Sequence, residues 1–225
     1  LPDARVEIMT SDTMRGPEAA QRLVHAVENY EIDLLIGTQM VAKGHHFPNL
    51  TVVGIIDADL GLAGGDLRAA ERTYQVLQQV SGRAGRAARP GRVLIQTFQP
   101  EHPVMHALAT GDRDGFMALE TDARRAGDWP PFGRLAAVIV SSRDPDVADG
   151  LAQALARCAP DEAGVRVLGP APAPLALLRG RHRRRLLLKA ELETPVQGLM
   201  RQWLSQIKVP SNARVRVDID PYSFL

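Results

Sequence analysis

The chain has 225 residues, 45% of them hydrophobic, enough for one large or two modest globular cores. Its formal net charge is +1, so nothing global demands a polyanion and any nucleic-acid surface must be a local patch. The one cysteine, Cys158, excludes an internal disulfide framework and a cysteine-based zinc site within this stretch, and no apolar run approaches the roughly 18–20 residues of a membrane span. Without a signal peptide at its start, the chain is expected to be cytoplasmic, and Leu1-Pro2-Asp3 suggests a piece of a longer protein.

In chain order, Arg5–Thr10 alternates as a strand with Val6 and Ile8 on one face. Ser11-Asp12-Thr13 offers caps, and Pro17 suits the first position of a helix carrying Leu23, Val24 and Val27. Ile32–Ile36 and Leu50–Ile56 read as short, fully buried strands of a parallel sheet. Between them runs Gly37-Thr38-Gln39-Met40-Val41-Ala42-Lys43-Gly44-His45-His46-Phe47-Pro48. Asp57-Ala58-Asp59 and a Gly-rich loop (Gly61 to Gly65) lead into a helix, Leu67–Val80, with Ala70, Thr73, Leu77 and Val80 along one stripe. Gly91–Phe98 is the next strand. This alternation predicts an α/β layer with a parallel sheet, whose functional loops follow the strand ends.

Two helices follow, His102–Ala109 and Asp112–Ala126, the second with Phe116, Leu119 and Ala123 inward. Trp129-Pro130-Pro131-Phe132 ends the second helix and reads as a hinge, its aromatics either packing on the next domain or stacking on bases. Beyond it, strand Leu135–Ser141, helix Pro145–Cys158, strand Val165–Gly169, strand Arg183–Ala190, helix Pro195–Ile207 and strand Ala213–Asp220 give a βαββαβ order. That order predicts an antiparallel α+β unit of ferredoxin-like type with helices on one face. Pro170-Ala171-Pro172-Ala173-Pro174 reads as a stiff loop, and Cys158 as a buried small hydrophobe. The expected domains are 1–99, a helical connector 100–132 and 133–225.

The chemistry concentrates in Gln79-Val80-Ser81-Gly82-Arg83-Ala84-Gly85-Arg86. At a helix end Gln79, Arg83 and Arg86 stand at i, i+4 and i+7, so their polar ends share a face. Two planar, permanently charged guanidinium groups there suit the oxygens of a terminal phosphate, the geometry of an arginine finger. The competing reading is an ordinary helix C-terminus, with glycine ending the helix and arginine complementing the dipole. Gly37–Thr38 offers backbone amides and a hydroxyl for a phosphate oxygen. His45 and His46 point opposite ways in extended chain and suit packing or phosphate contact better than a shared metal. Asp57 and Asp59 without further ligands are a weak magnesium signal, and no metal site is expected.

With these residues in view, GTQMVAKGHHFP resembles motif V, and QVSGRAGRA motif VI, of superfamily 2 helicases, in the form typical of the bacterial replication-restart helicases (primosomal protein N′, PriA). ADLGLAGGDLRAAERTYQVLQQ and QTFQPEHP match the same family, and the resemblance covers the whole chain. It implies that Leu1 to about Gln99 is the second RecA-like lobe of a 3′→5′ DNA helicase, followed by an S10-like C-terminal domain. By the same match, Gln79, Arg83 and Arg86 face ATP bound with Mg²⁺ on a first lobe, and Gly37, Thr38 and Lys43 lie near the tracked strand. Asp59, Asp66, Arg68 and Glu71 resemble positions that order the interlobe loop. No GxxxxGK[ST] and no DExH acid pair occurs here, so the segment alone is expected not to hydrolyse ATP. The zinc-binding cysteines of the family would lie upstream.

Arg179-Gly180-Arg181-His182-Arg183-Arg184-Arg185 places five arginines in seven residues. It reads as a site for a polyanion, either DNA phosphates or an acidic peptide end, or as a solvated basic loop. In the family the matching segment contributes to a pocket for the acidic tail of single-stranded DNA-binding protein; Arg181 and Arg185 match those positions, the second often being Gln. The expected partners are therefore forked and single-stranded DNA, that tail and primosome proteins at the replication fork in the nucleoid, with no membrane. Two rivals stand beside this reading: a DNA- and protein-binding module without a motor, and a ribosomal-type RNA-binding protein resting on the terminal βαββαβ pattern alone.

Overall fold

A computed structural model of the chain describes residues 2–10, 17–38, 47, 50–62, 66–84 and 91–222. Its contacts divide it into two compact units, Leu1–Arg113 and Asp114–Leu225.

In the first unit, strand β1 (Val6–Met9), helix α1 (Pro17–Glu28) and strand β2 (Leu34–Gly37) make one crossover, with β1 and β2 parallel from Val6 opposite Leu34 to Met9 opposite Gly37. Strand β3 (Val52–Ile55), a 3-10 turn (Ala58–Leu62), helix α2 (Ala69–Ser81) and strand β4 (Arg92–Ile95) make a second, with β3 and β4 parallel from Val52 opposite Arg92 to Ile55 opposite Ile95. The first register is clamped at its entry. Arg5 donates to both carboxylate oxygens of Asp33 at 2.8 Å, and the Arg5 amide donates to the same group. This arginine holds the Asp33 carboxyl well below the usual carboxylate range.

The parallel pairing agrees with the sequence reading, but two details differ. Among the described residues the strands form two separate pairs and not one continuous sheet. The strands expected to be fully buried are not: Ile36 and Val52 are 49% and 51% exposed. A pair of four-residue strands with one crossover helix covers only part of its own apolar surface. The caps Ser11-Asp12-Thr13 lie outside the described residues.

Helices α3 (Pro103–Thr110) and α4 (Arg113–Ala126) follow. The His102 ring accepts from the Val104 amide at 3.2 Å, Pro103 occupies the first turn, and Gly111 closes α3. In α4 the inward residue is Phe116, whereas Leu119 is 58% exposed and Ala123 is exposed too. The covered stripe runs through Phe116, Glu120 and Arg124 at i, i+4 and i+8. A hydrophobic count alone favoured the wrong side of this helix.

The second unit has strand β5 (Arg134–Ser142), helix α5 (Pro145–Arg157), strands β6 (Val165–Leu178) and β7 (Arg181–Ala190), helix α6 (Val196–Ser205) and strand β8 (Ala213–Ile219). The sheet order is β6-β7-β5-β8, antiparallel throughout. Ala136, Val138 and Val140 of β5 join Leu186 and Leu188 of β7 under α5 and α6 in a core centred on the fully buried Trp203. The Trp203 indole N–H donates to the Leu155 carbonyl at 3.0 Å, tying α6 to α5 and satisfying the core's polar atom. Asp144 caps α5 by accepting from the Asp146 amide, with Pro145 in the first turn. Cys158 is half-buried, its thiol directed at the Leu155 carbonyl, and packs against this core.

The proline-rich stretch is a correction. Pro170–Pro174 belongs to β6, which continues to Leu178 with register breaks between Leu168 and Ala171 and between Pro172 and Leu177. Because β6 is the edge strand, prolines remove few ladder donors there and the bulges absorb the rest. Strand β7 accordingly begins at Arg181 and not Arg183. A two-residue turn, Arg179-Gly180, with φ of 50° and 70°, joins the strands in the conformation that matches strand twist.

Candidate functional site

Helix α2 buries Thr73, Tyr74 and Leu77. At about 100° per residue, Gln79 stands roughly 200° round from Leu77 and so faces away from the packed side. Gln79 is exposed, and Arg83 is half-buried in the turn that continues the helix, its amide donating to the Val80 carbonyl at 3.0 Å. The helix ends at Gly82, whose φ is −68°. Any residue adopts that conformation, so glycine is not required there for a left-handed cap. Gly85 and Arg86 lie outside the described residues.

The start of α2 is fixed by its neighbours. Asp66 accepts from the Arg68 amide at 3.0 Å and from the Arg72 guanidinium at 2.7 Å, and Arg68 pairs with Glu71 at 2.9 Å. The 3-10 turn lies against the helix so closely that a Cβ at Gly61 would stand 2.4 Å from the Thr73 hydroxyl oxygen. Asp59 in that turn accepts from the Thr97 hydroxyl at 2.7 Å and the Phe98 amide at 2.6 Å, joining it to the chain beyond β4. Asp59, Asp66, Arg68 and Glu71 are thus engaged in holding loop and helix together. Asp57, with φ of 53°, turns the chain as β3 ends.

Gly37 is the last residue of β2 and pairs with Met9; exposed Thr38 follows at the C-terminal end of a parallel strand, where ligands of α/β sheets gather. Lys43, His45 and His46 lie outside the described residues. Among the described residues no group of three or more potential metal ligands clusters, and no helix is long and apolar enough to cross a membrane.

The structure separates the arginine cluster into different roles. Arg184 faces α5, where its guanidinium forms a two-point pair with Asp149, Nη2 to Oδ2 at 2.7 Å and Nε to Oδ1. That contact holds the Asp149 carboxyl below its ordinary range and raises Arg184 above its own. Arg181 donates to the carbonyls of Ser141 at 2.9 Å and Asn212 at 3.3 Å, and Arg183 to that of Leu175 at 3.3 Å. Arg181, Arg183 and Arg185 share the face away from the helices, with Arg185 half-buried. Sequence reasoning missed Arg214 and Arg216 of β8, both exposed on that same face. Their signal was the alternation Arg214-Val215-Arg216-Val217 in a predicted strand.

The hinge aromatics pack. The Lys189 ammonium of β7 lies 5.0 Å from the Trp129 ring, with Asp128 3.6 Å from it, and Arg125 lies 4.6 Å from the Phe132 ring.

Two family models match the chain: the helicase conserved C-terminal domain over residues 3–88 and the primosomal protein N C-terminal domain over residues 125–222. Its relatives include the replication restart protein PriA of Rickettsia felis, 44% identical over 224 residues, which takes in all of this chain and 34% of that protein. The protein of that name from Bacillus subtilis is 37% identical over 230 residues, covering all of this chain and 29% of its own. The one from Haemophilus influenzae is 36% identical over 199 residues, covering 87% and 27%. The chain therefore spans about a third of the length of the curated relatives it matches.

Proposed function

The chain belongs to the replication restart protein PriA family, as its C-terminal region, and on that premise we propose that it is the motor-completing part of an ATP-dependent 3′→5′ DNA helicase that acts at stalled forks and initiates primosome assembly. The observation that supports the reading is exposed Gln79 on the unpacked side of α2, four residues before Arg83 in the turn that ends it, with the start of the helix held by Asp66. We read the first unit as a RecA-like second lobe, which its two parallel crossovers support, and the second as a ferredoxin-like, S10-like unit, which the order β6-β7-β5-β8 supports.

The donors at the end of α2 suit phosphate oxygens: an amide from Gln79 and fixed guanidinium groups from Arg83 and, by the motif, Arg86. ATP, which the first lobe would hold with Mg²⁺, would transfer its γ-phosphoryl group to water and release ADP, and that hydrolysis would drive movement. Arg83 and Arg86 offset the charge that develops on that group, and Gln79 orients it. Gly37 and Thr38, with Lys43, grip the backbone of the tracked strand, so that closing of the lobes becomes a step along it. The phosphate-holding loop, the metal-holding acids and the zinc-binding cysteines are assigned to the part of the parent protein outside these residues, and isolated fragment turnover is expected to be nil. Arg181 and Arg185 are assigned to the acidic tail of single-stranded DNA-binding protein.

A strand-displacement assay of the parent protein tests this reading. Duplexes with a 3′ single-stranded tail should be unwound with ATP, and those with a 5′ tail should not. Displacement without ATP, or only from 5′ tails, would refute it.

A further inference from the structure

On the helix side of the second unit, the C-terminal ends of α5 and α6 border a cleft of about 250 Å³. Beyond Arg157 the chain passes from Cys158 through Pro160 to Asp161 and Glu162, which form one wall; the last two turns of α6 form the other. The floor is apolar and closed, for Trp203 is fully buried and Leu199 is buried beside it. The rim is polar. Asp161, Glu162, Gln202 and Gln206 are exposed, and their side chains make no hydrogen bond or ion pair among the described residues.

Charge selects the occupant. Two helices bring their C-terminal ends to one cleft, each with roughly half a unit of negative charge on its last carbonyls, and two carboxylates add to it. No basic residue lines the cleft; Arg157, in the last turn of α5, is exposed and stands outside its walls. An anionic ligand would be repelled. The volume falls below the roughly 300–1,000 Å³ of small-molecule sites, and no group of three or more potential metal ligands clusters among the described residues. A long cationic side chain fits both parts of the cleft, its stem over Leu199 and its charged head at the carboxylates. Arginine suits it better than lysine, because the planar fork meets a carboxylate at two points and keeps a donor for the amide oxygen of Gln202 or Gln206.

We propose that this cleft is a docking pocket for an arginine side chain presented by a basic segment of a partner protein. The guanidinium group sits between Asp161 and Glu162, and the side-chain stem covers the apolar floor. The arginines of β7 and β8 lie on the opposite side of the sheet, so a cationic partner meets the helix side without facing them. The pocket serves docking and takes no part in ATP hydrolysis.

The test is a nuclear magnetic resonance titration of the isotope-labelled 225-residue chain with a short peptide carrying one arginine among glycine and serine residues. The indole N–H signal of Trp203 reports the cleft, and that of Trp129, which packs under Lys189, serves as internal control. The Trp203 signal should shift saturably while the Trp129 signal stays in place. A peptide with citrulline for arginine, of the same shape without the charge, should bind about tenfold more weakly. The double variant Asp161→Asn/Glu162→Gln should lose about as much affinity for the arginine peptide, with its free indole signals at their wild-type positions as evidence of an intact fold. No saturable shift, equal affinity for the two peptides, or unchanged affinity in the variant would overturn the proposal, as would equal movement of both indoles. The same Trp203 shift produced by magnesium chloride at equal concentration would overturn it in favour of a metal-ion site.

Discussion

Replacing Asp149 by Ala tests the most consequential reassignment in the basic cluster, that Arg184 is a structural and not a ligand-binding arginine. The pair is two-pointed, and the side chains of Arg184 and Asp149 are 18% and 43% exposed. Hydrogen bonds to charged groups contribute about 1.5–3 kcal/mol where water is excluded. Half-exposure of Asp149 places this pair at the low end, because Arg184 regains some water when its partner goes. Alanine returns about 0.5 kcal/mol of helix propensity in α5. The net loss is about 1 kcal/mol, or a fall of about 5 °C in Tm for a unit of this size. Both tryptophans, Trp129 and Trp203, lie in the second unit, so their fluorescence during thermal unfolding reports that unit alone. The Asp149 carboxyl is depressed in the fold, so its stabilisation is fully present above the unfolded value near 4 and is lost as pH falls through the lower folded value. The gap between wild type and variant should therefore narrow below about pH 4. Equal stability at pH 7, or a gap that persists undiminished in acid, would refute the reasoning; so would a large loss of DNA affinity without loss of stability.

Two further perturbations probe the packing that positions the site. Gly61→Ala places a Cβ 2.4 Å from the Thr73 hydroxyl oxygen and should lower the stability of the first unit by about 1–3 kcal/mol; adding Thr73→Ala should recover much of that in urea unfolding followed by circular dichroism, and no recovery would show that the close approach is not the cause. Trp203→Phe removes the N–H that bonds the Leu155 carbonyl and leaves that acceptor only the weak Cys158 thiol, at about 1 kcal/mol; a calorimetric Tm equal to wild type would show that this hydrogen bond does not tie α6 to α5.

Much of this was legible in the residues. Strand ends read at Ile36 and Ile56 fall within one residue of those observed, and the helix before Gly82 and the helix start at Pro145 announce themselves through local periodicity and turn chemistry. What was illegible depended on distant partners. Nothing near Pro170–Pro174 says that the stretch borders a sheet, and only edge position makes five alternating Pro and Ala residues tolerable as strand. Arg184 looks like its neighbours until the period-two alternation of a strand begun at Arg181 turns it toward Asp149, 35 residues upstream. Arg214 and Arg216 join Arg183 and Arg185 only through β5, which pairs with both strands. The helix that carries Gln79 was readable, whereas the packing of Gly61 on Thr73 and the bond from Thr97 to Asp59 required the fold.

The central claim is that the end of α2 supplies positive charge to a phosphoryl transfer. It is tested most directly by steady-state ATP hydrolysis in the parent protein carrying Arg83→Ala, with saturating single-stranded DNA. The account predicts a fall in kcat of about a thousandfold or more, with DNA affinity close to wild type. A variant that hydrolyses ATP at the wild-type rate would contradict it.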